Sequence, residues 1–242
     1  MNRAKIMSHA IDDPRLIAGM TRQLEARRKR LDAGEMPLGW KVGFGAPAVL
    51  ARLGIAKPLV GFMMQQSRVE PGAAVELGGW TKPIAEPEVA IHFGRDLSGE
   101  ISAEEAKAAI AGLGPAIELV DLDGAADDPA VILAGNIFHR RVALAAPSAA
   151  YAGAKLDGLT GRVFRRGAEA AATSDLEANT GRLIDIVRNV AATLDAFGEK
   201  ISAGEVLIAG SVVAPVVLEA DEDDFAFELA PVGRVSVRFA RA

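Results

Sequence analysis

Three glutamates offer the clearest chemistry in this 242-residue chain. Glu86 and Glu88 stand two apart in the run Ala85 to Phe93, and Glu118 stands alone between the apolar neighbours of Ala116 to Val120. In an extended strand, residues two apart face one side, which would set Glu86 and Glu88 side by side at roughly 6 to 7 Å. Ile117, Leu119 and Val120 read as a buried strand, where a carboxylate is costly unless paired or bound to metal. Three carboxylates in an apolar setting require positive charge, and an all-oxygen set suits Mg2+ or Mn2+, which often keep positions open for water or substrate. Spacing alone leaves another reading open, with Glu86 and Glu88 on the solvated face of an edge strand and Glu118 paired to an arginine.

The elements that must position these groups are uneven along the chain. A first helix is expected from Asp12 or Asp13 as N-cap, with Pro14 in its first turn, apolar positions at Leu16, Ile17, Met20, Leu24 and Leu31, and Gly34 as its stop. The basic run Arg27 to Arg30 then falls in a solvated last turn, where positive charge suits the helix dipole, and it is assigned no chemistry. From Leu38 to Glu118 the chain reads as short strands and turns. One helix intrudes there: Ser102 and Glu105 have capping-box spacing, and Ala106, Ala109, Ile110 and Leu113 form a stripe before Gly114. A further helix is predicted from about Thr180 to Phe197, followed by Gly198. Strands close the chain at Val206 to Ala209, Phe225 to Leu229 and Val235 to Phe239. Strands and helices do not alternate regularly and neither common phosphate loop is present, so the class is α+β rather than a doubly wound parallel sheet. The acidic cluster Asp221 to Asp224 reads as a solvated turn.

Composition removes whole classes of function. Cysteine is absent, which excludes disulfides, thiolate catalysis and cysteine-ligated metal centres. Histidine occurs only at His9, His92 and His139, too few for a multi-histidine site. The net charge of −5 gives no reason to expect nucleic acid as a partner. No stretch approaches the roughly 20 apolar residues of a membrane span and no signal-like sequence begins the chain, so a cytoplasmic protein without a membrane partner is expected. Half of the residues are hydrophobic, enough for a substantial core. The expected organisation is a single domain over 1–242, with an N-terminal helical segment (1–37) and a β-roll region carrying the site (38–242).

Gly39-Trp40-Lys41-Val42-Gly43, Glu86-Pro87-Glu88-Val89-Ala90, Ala116-Ile117-Glu118-Leu119-Val120-Asp121 and Ala209-Gly210-Ser211 follow one another in an order that resembles the 2-keto-4-pentenoate hydratases of the fumarylacetoacetate hydrolase superfamily. Gly198, Ile201 and Ala203-Gly204-Glu205-Val206 extend the likeness, which runs from about Leu38 to Phe239. The resemblance implies a mixed β-sandwich or roll with flanking helices, a divalent ion (Mg2+, with Mn2+ as a substitute) held by Glu86, Glu88 and Glu118, and Lys41 reaching a 2-oxo or 2-hydroxydienoic acid substrate. It implies a hydratase in which the 2-hydroxy-2,4-dienoate is first ketonised on the metal and water then adds at the distal alkene carbon, with Lys41 assisting proton transfer. Homo-oligomers are usual among such proteins.

Around that core, roles stay open. Ser211 is a candidate for meeting the substrate carboxylate, or a turn serine. Asp121 is a candidate substrate-side group that orients a ligand or Lys41, or a turn aspartate. His92 shares strand parity with Glu86 and Glu88 but reads better as a rim or structural residue. His139, followed by Arg140 and Arg141, is a candidate for anion recognition or a surface turn, and His9 carries no signal. Three departures from the hydratase pattern remove hydrogen-bond donors: Phe44-Gly45-Ala46-Pro47 after the lysine motif, Ile84-Ala85 before the first glutamate, and Leu122-Asp123 after Asp121. They leave room for a 4-oxalocrotonate-like decarboxylase, an acylpyruvate-type hydrolase, or a catalytically silent metal- or partner-binding homologue.

Overall fold

The computed structural model describes residues 12–124 and 127–240; His9 lies outside them. In chain order the elements are α1 (Pro14–Asp32), β1 (Pro37–Gly43), α2 (Pro47–Leu53), β2 (Leu59–Met64), β3 (Arg68–Val69), β4 (Ala74–Glu76), β5 (Pro83–Phe93), α3 (Ala103–Ala109), β6 (Ile110–Asp121), α4 (Pro129–Ala134), β7 (His139–Leu144), β8 (Thr160–Arg165), β9 (Ala168–Thr173), α5 (Leu183–Ala196), β10 (Val206–Ser211), β11 (Val216–Val217), β12 (Asp224–Ala230) and β13 (Gly233–Ala240). Among the described residues no helix is long and apolar enough to cross a membrane.

The larger sheet runs β2-β1-β10-β5-β6-β7-β3, with β11 beside β5. Laid flat, the seven strands would span about 29 Å at 4.8 Å per step. The chain nevertheless passes from one edge strand to the other through the single turn Gln65–Ser67, which reaches at most about 14 Å. The sheet therefore curls into a roll. Its interior is a small cluster drawn only from these strands: Leu38, Met63, Ala90, Ala116, Val142, Leu144, Val206 and Ile208. The outer face carries the main core, which joins the roll to the helices and to the second sheet, β4-β13-β12-β8-β9.

Helix α1 starts as its sequence dictates, with the Asp13 side chain accepting from Arg15 N at 2.9 Å. Its basic run is not all solvated. Arg27 is buried, lies 4.7 Å over the Trp40 ring and pairs with Glu199 at 3.0 Å, while Arg28 and Lys29 are the exposed members. A guanidinium over a tryptophan face makes a favourable cation–π contact that helical periodicity does not reveal. The Ser102 capping box forms, but α3 stops at Ala109. Ile110 and Leu113 instead open β6, paired with Phe93 and Ile91, because Gly112, Gly114 and Pro115 disfavour helix and a long partner strand is available. Helix α5 begins at Leu183, later than Thr180, since Gly181 takes φ +89° and the Glu177 carboxylate accepts from Leu183 N at 2.7 Å.

Candidate functional site

Strands β5 and β6 pair in a register that puts Glu86 directly opposite Glu118. Two like charges facing each other across a ladder repel. Alternation adds Glu88 to the same face, and one oxygen from each of the three carboxylates lies within 4.8 Å of the others. Glu88 and Glu118 are fully buried, and Glu86 is half-buried.

In the two buried carboxylates the oxygens divide their work. Glu88 Oε2 accepts from Gly210 N at 2.5 Å. That amide turns inward because β10 loses its register with β5 between Ile208 and Ser211, where Gly210 takes φ +89°. Glu118 Oε1 accepts from Lys41 Nζ at 2.5 Å and meets His139 Nδ1 at 2.6 Å. Glu88 Oε1 and Glu118 Oε2 remain buried without a partner among the described residues. Orphaned buried oxygens are costly, and a hard cation satisfies two or three at once. The cluster is thus an all-oxygen set with free lone pairs where a divalent ion would sit.

The electrostatics agree. Burial, reinforced by Glu118, pushes the Glu86 carboxyl up to about 7 despite the opposing pull of Lys41. Burial, with Glu118 and Glu86 beside it, holds Glu88 well above the ordinary carboxylate value. Burial also works to raise Glu118, but Lys41 and the His139 ring outweigh it and keep that carboxyl low. Burial lowers His139 against the attraction of Glu118. The ring spans two partners: Nδ1 meets Glu118, and Nε2 lies 2.9 Å from the Ser67 hydroxyl, which itself donates to Met64 O at 2.8 Å.

Lys41 is not the exposed turn lysine that its flanking glycines would permit. It lies within β1, is 1% exposed, and reaches both Glu118 and the Ile137 carbonyl, the latter at 3.2 Å. Lys41, Glu86 and Ser211 line one cavity of about 330 Å3. Its walls are largely apolar: Phe44, Ile84, Val120, Leu122 and Phe138 contribute. Phe44, Ile84 and Leu122 are three of the departures noted in the sequence, so the missing hydrogen-bond donors have become apolar wall.

The other candidates separate cleanly. Ser211 pairs with Glu88 in the ladder, and its buried hydroxyl has no partner among the described residues. Asp121 is not brought to the cavity. Val120 faces inward, so the next residue faces outward, and Asp121 Oδ1 accepts from Thr81 N at 2.9 Å and Lys82 N at 2.8 Å, the role of a turn aspartate. His92 shares the face of the triad but lies two steps beyond Ala90 of the interior cluster, roughly 13 Å along the strand from Glu88. There burial and Arg68 lower it to about 4. Arg140 pairs with Asp123, so the basic pair after His139 does not serve the cavity. Sequence reasoning missed the seat of His139 on Glu118 and the Gly210 amide on Glu88. Both depend on a register shift, which leaves no periodic signal.

No family model matches the chain. A 2-hydroxyhexa-2,4-dienoate hydratase from Comamonas testosteroni is 30% identical over 231 residues, 89% of this chain and 83% of that one. A 4-oxalocrotonate decarboxylase from Pseudomonas sp is 32% identical over a 92-residue segment, 38% of this chain and 36% of that protein. In fold, the chain is similar to the solved 4-oxalocrotonate decarboxylase from Pseudomonas putida G7, complexed with magnesium and adipate, with a TM-score of 0.81, 22% identity and 99% of each chain covered. The shared α+β roll and the extent of the hydratase match place it: the chain belongs to the 2-keto-4-pentenoate hydratase family of the fumarylacetoacetate hydrolase superfamily.

Proposed function

We propose that the protein is a divalent-metal-dependent hydratase that adds water to a 2-hydroxy-2,4-dienoate, the substrate class named for its Comamonas relative. The observation that carries this reading is the pair of partnerless oxygens, Glu88 Oε1 and Glu118 Oε2, gathered with Glu86 beside Lys41 on an apolar cavity. Glu86, Glu88 and Glu118 would hold the ion, and the all-oxygen set fits Mg2+, with Mn2+ as a substitute. When bound, the ion supplies positive charge that stabilises negative charge developing at the C2 oxygen of the substrate.

The chain's own residues do the rest. Lys41 has three N–H donors, of which Glu118 and Ile137 engage two, and the third is available to a substrate in the cavity. As the ammonium it would give that third proton to the distal end of the conjugated chain, and the amine so formed would take the proton of the 2-hydroxyl, which restores the ammonium. Water then adds its oxygen to the distal alkene carbon and its proton to the carbon nearer the carbonyl, a net gain of one water. Ser211, which lines the same cavity, would donate its hydroxyl to the substrate carboxylate. The apolar walls suit an uncharged tail.

One observation favours a second reading, decarboxylation of a 4-oxalocrotonate-like dicarboxylate. Arg52 lines the cavity, is exposed, and has no ion pair among the described residues, so it could receive a second carboxylate. The test is loss of the ultraviolet absorbance of 2-hydroxypenta-2,4-dienoate with magnesium and with chelator, the product identified by mass. Magnesium-dependent gain of one water supports the hydratase. No turnover of the dienoate alongside release of carbon dioxide from 4-oxalocrotonate replaces it with the decarboxylase.

A further inference from the structure

Three consecutive residues, none of them glycine, take left-handed backbone conformations: Asn136 (φ +52°), Ile137 (+53°) and Phe138 (+59°). Each costs about 1–2 kcal/mol in an L-residue, most for the β-branched isoleucine. Such a run persists only where its surroundings over-determine it, and this happens mostly at functional sites.

The contacts that fix it are specific. The Asn136 side chain accepts from Phe62 N at 2.9 Å and donates to Phe62 O at 2.9 Å, filling the open edge of β2 as another strand would. The turn then presents the Ile137 carbonyl to Lys41 Nζ at 3.2 Å. Gly61, paired with Lys41 in the β1–β2 ladder, keeps the space clear. A Cβ there would stand 3.0 Å from both Asn136 Oδ1 and Lys41 Cγ, so the two side chains cross the same bare stretch of backbone. Asn136 itself neither belongs to the carboxylate cluster nor lines the cavity.

We infer that Asn136 is the positioning residue for Lys41: its two hydrogen bonds to Phe62 hold the left-handed turn whose carbonyl, together with Glu118, fixes the ammonium on the cavity. The inference rests on the reading of Lys41 as the proton-transfer group, and its consequence for Lys41's placement can be measured without any substrate. Two acceptors fix two of the three N–H directions and so aim the third. With Glu118 as the sole acceptor, the lysine head could swing about one bond.

Asn136→Gly removes the clamp while leaving a residue that adopts φ +52° without strain, so the fold should survive. Asn136→Asp keeps an acceptor for Phe62 N and loses the donor to Phe62 O. In the magnesium-loaded full-length protein, acylation of Lys41 by acetic anhydride, followed by peptide mass, is expected to be at least fivefold faster in Asn136→Gly and intermediate in Asn136→Asp. The other lysines should label at unchanged rates. If the wild type hydrates the dienoate, kcat should fall at least tenfold in Asn136→Gly while KM and magnesium affinity move less than threefold. Lys41 labelling within twofold of wild type in a folded Asn136→Gly would overturn the inference. A wild type inert towards the dienoate would overturn the hydratase reading and leave the labelling result to decide the role of Asn136.

Discussion

Magnesium binding should expel protons, and the site predicts how the number changes with pH. In the metal-free protein Glu86 titrates at about 7 and Glu88 lies well above an ordinary carboxylate, so both carry protons over part of the acidic range. A carboxyl raised in this way binds protons in the folded state that the unfolded chain has released. Its contribution to stability is therefore present below the unfolded value of 4.5 and is lost as pH rises through about 7. For Glu86 the loss amounts to about 3 kcal/mol across that interval, at 1.36 kcal/mol per pH unit. Glu118 is held low and titrates below this window. A cation that needs all three carboxylates ionised must displace the protons of Glu86 and Glu88, and each proton released steepens affinity by about tenfold per pH unit. Calorimetric titration with magnesium in two buffers of different ionisation enthalpy counts those protons directly. Between one and two are expected at pH 6 and fewer at pH 8. Thermal unfolding should show the metal-free protein losing stability from pH 5 to 7.5 and magnesium restoring more at the higher pH. A proton count of zero at pH 6 would refute the reasoning, because it would mean that the carboxylates stay ionised without the ion.

Further outcomes follow from the same geometry. Lys41→Met should lower kcat by 100-fold or more while magnesium affinity falls little or rises, since a cation next to the site is removed; equal turnover in a steady-state assay would take Lys41 out of the mechanism. Glu118→Gln should abolish measurable magnesium binding in calorimetry and destabilise the fold by roughly 3–5 kcal/mol in denaturant titrations, because Lys41 is left buried without its counter-charge. His139→Ala should weaken magnesium binding about 10- to 100-fold by freeing the Glu118 carboxylate to rotate, and an unchanged affinity would show that Lys41 alone seats it. Arg52→Ala should leave KM for a monocarboxylic dienoate within twofold and raise it at least tenfold for a dicarboxylic substrate if the distal carboxylate is read there.

Much of the site's outline was legible because strand alternation is a rigid rule. Two residues apart on β5 fixed Glu86 and Glu88 on one face, and an isolated charge among Ile117, Leu119 and Val120 marked a strand that needed a partner. Capping chemistry likewise located the starts of α1 and α3, since an Asp before Pro14 and a Ser three residues before Glu105 act locally. What escaped depends on contacts between distant segments. The stripe through Ile110 and Leu113 fits a helix in isolation, and only the availability of β5 as a partner turns it into strand. Arg27 looks solvated until Trp40, in another element, offers its face.

The least legible features are those that give the triad its character. Nothing local in the sequence announces that Gly210 will turn its amide to Glu88, because the register break that allows it is a property of two strands. Nor does the sequence show that Asn136 will edge β2, 74 residues away. Yet these contacts decide which oxygen of each carboxylate is consumed and which is left open. Had Lys41 and His139 divided the two oxygens of Glu118 between them, the carboxylate would be satisfied and the cluster would be an ordinary buried ion pair. Because both meet Oε1, the charge is balanced while Oε2 remains without a partner among the described residues. An orphaned buried oxygen is costly unless a cation satisfies it, and this supports the proposed metal site. The asymmetry favours that proposal over three glutamates that happen to share a strand face.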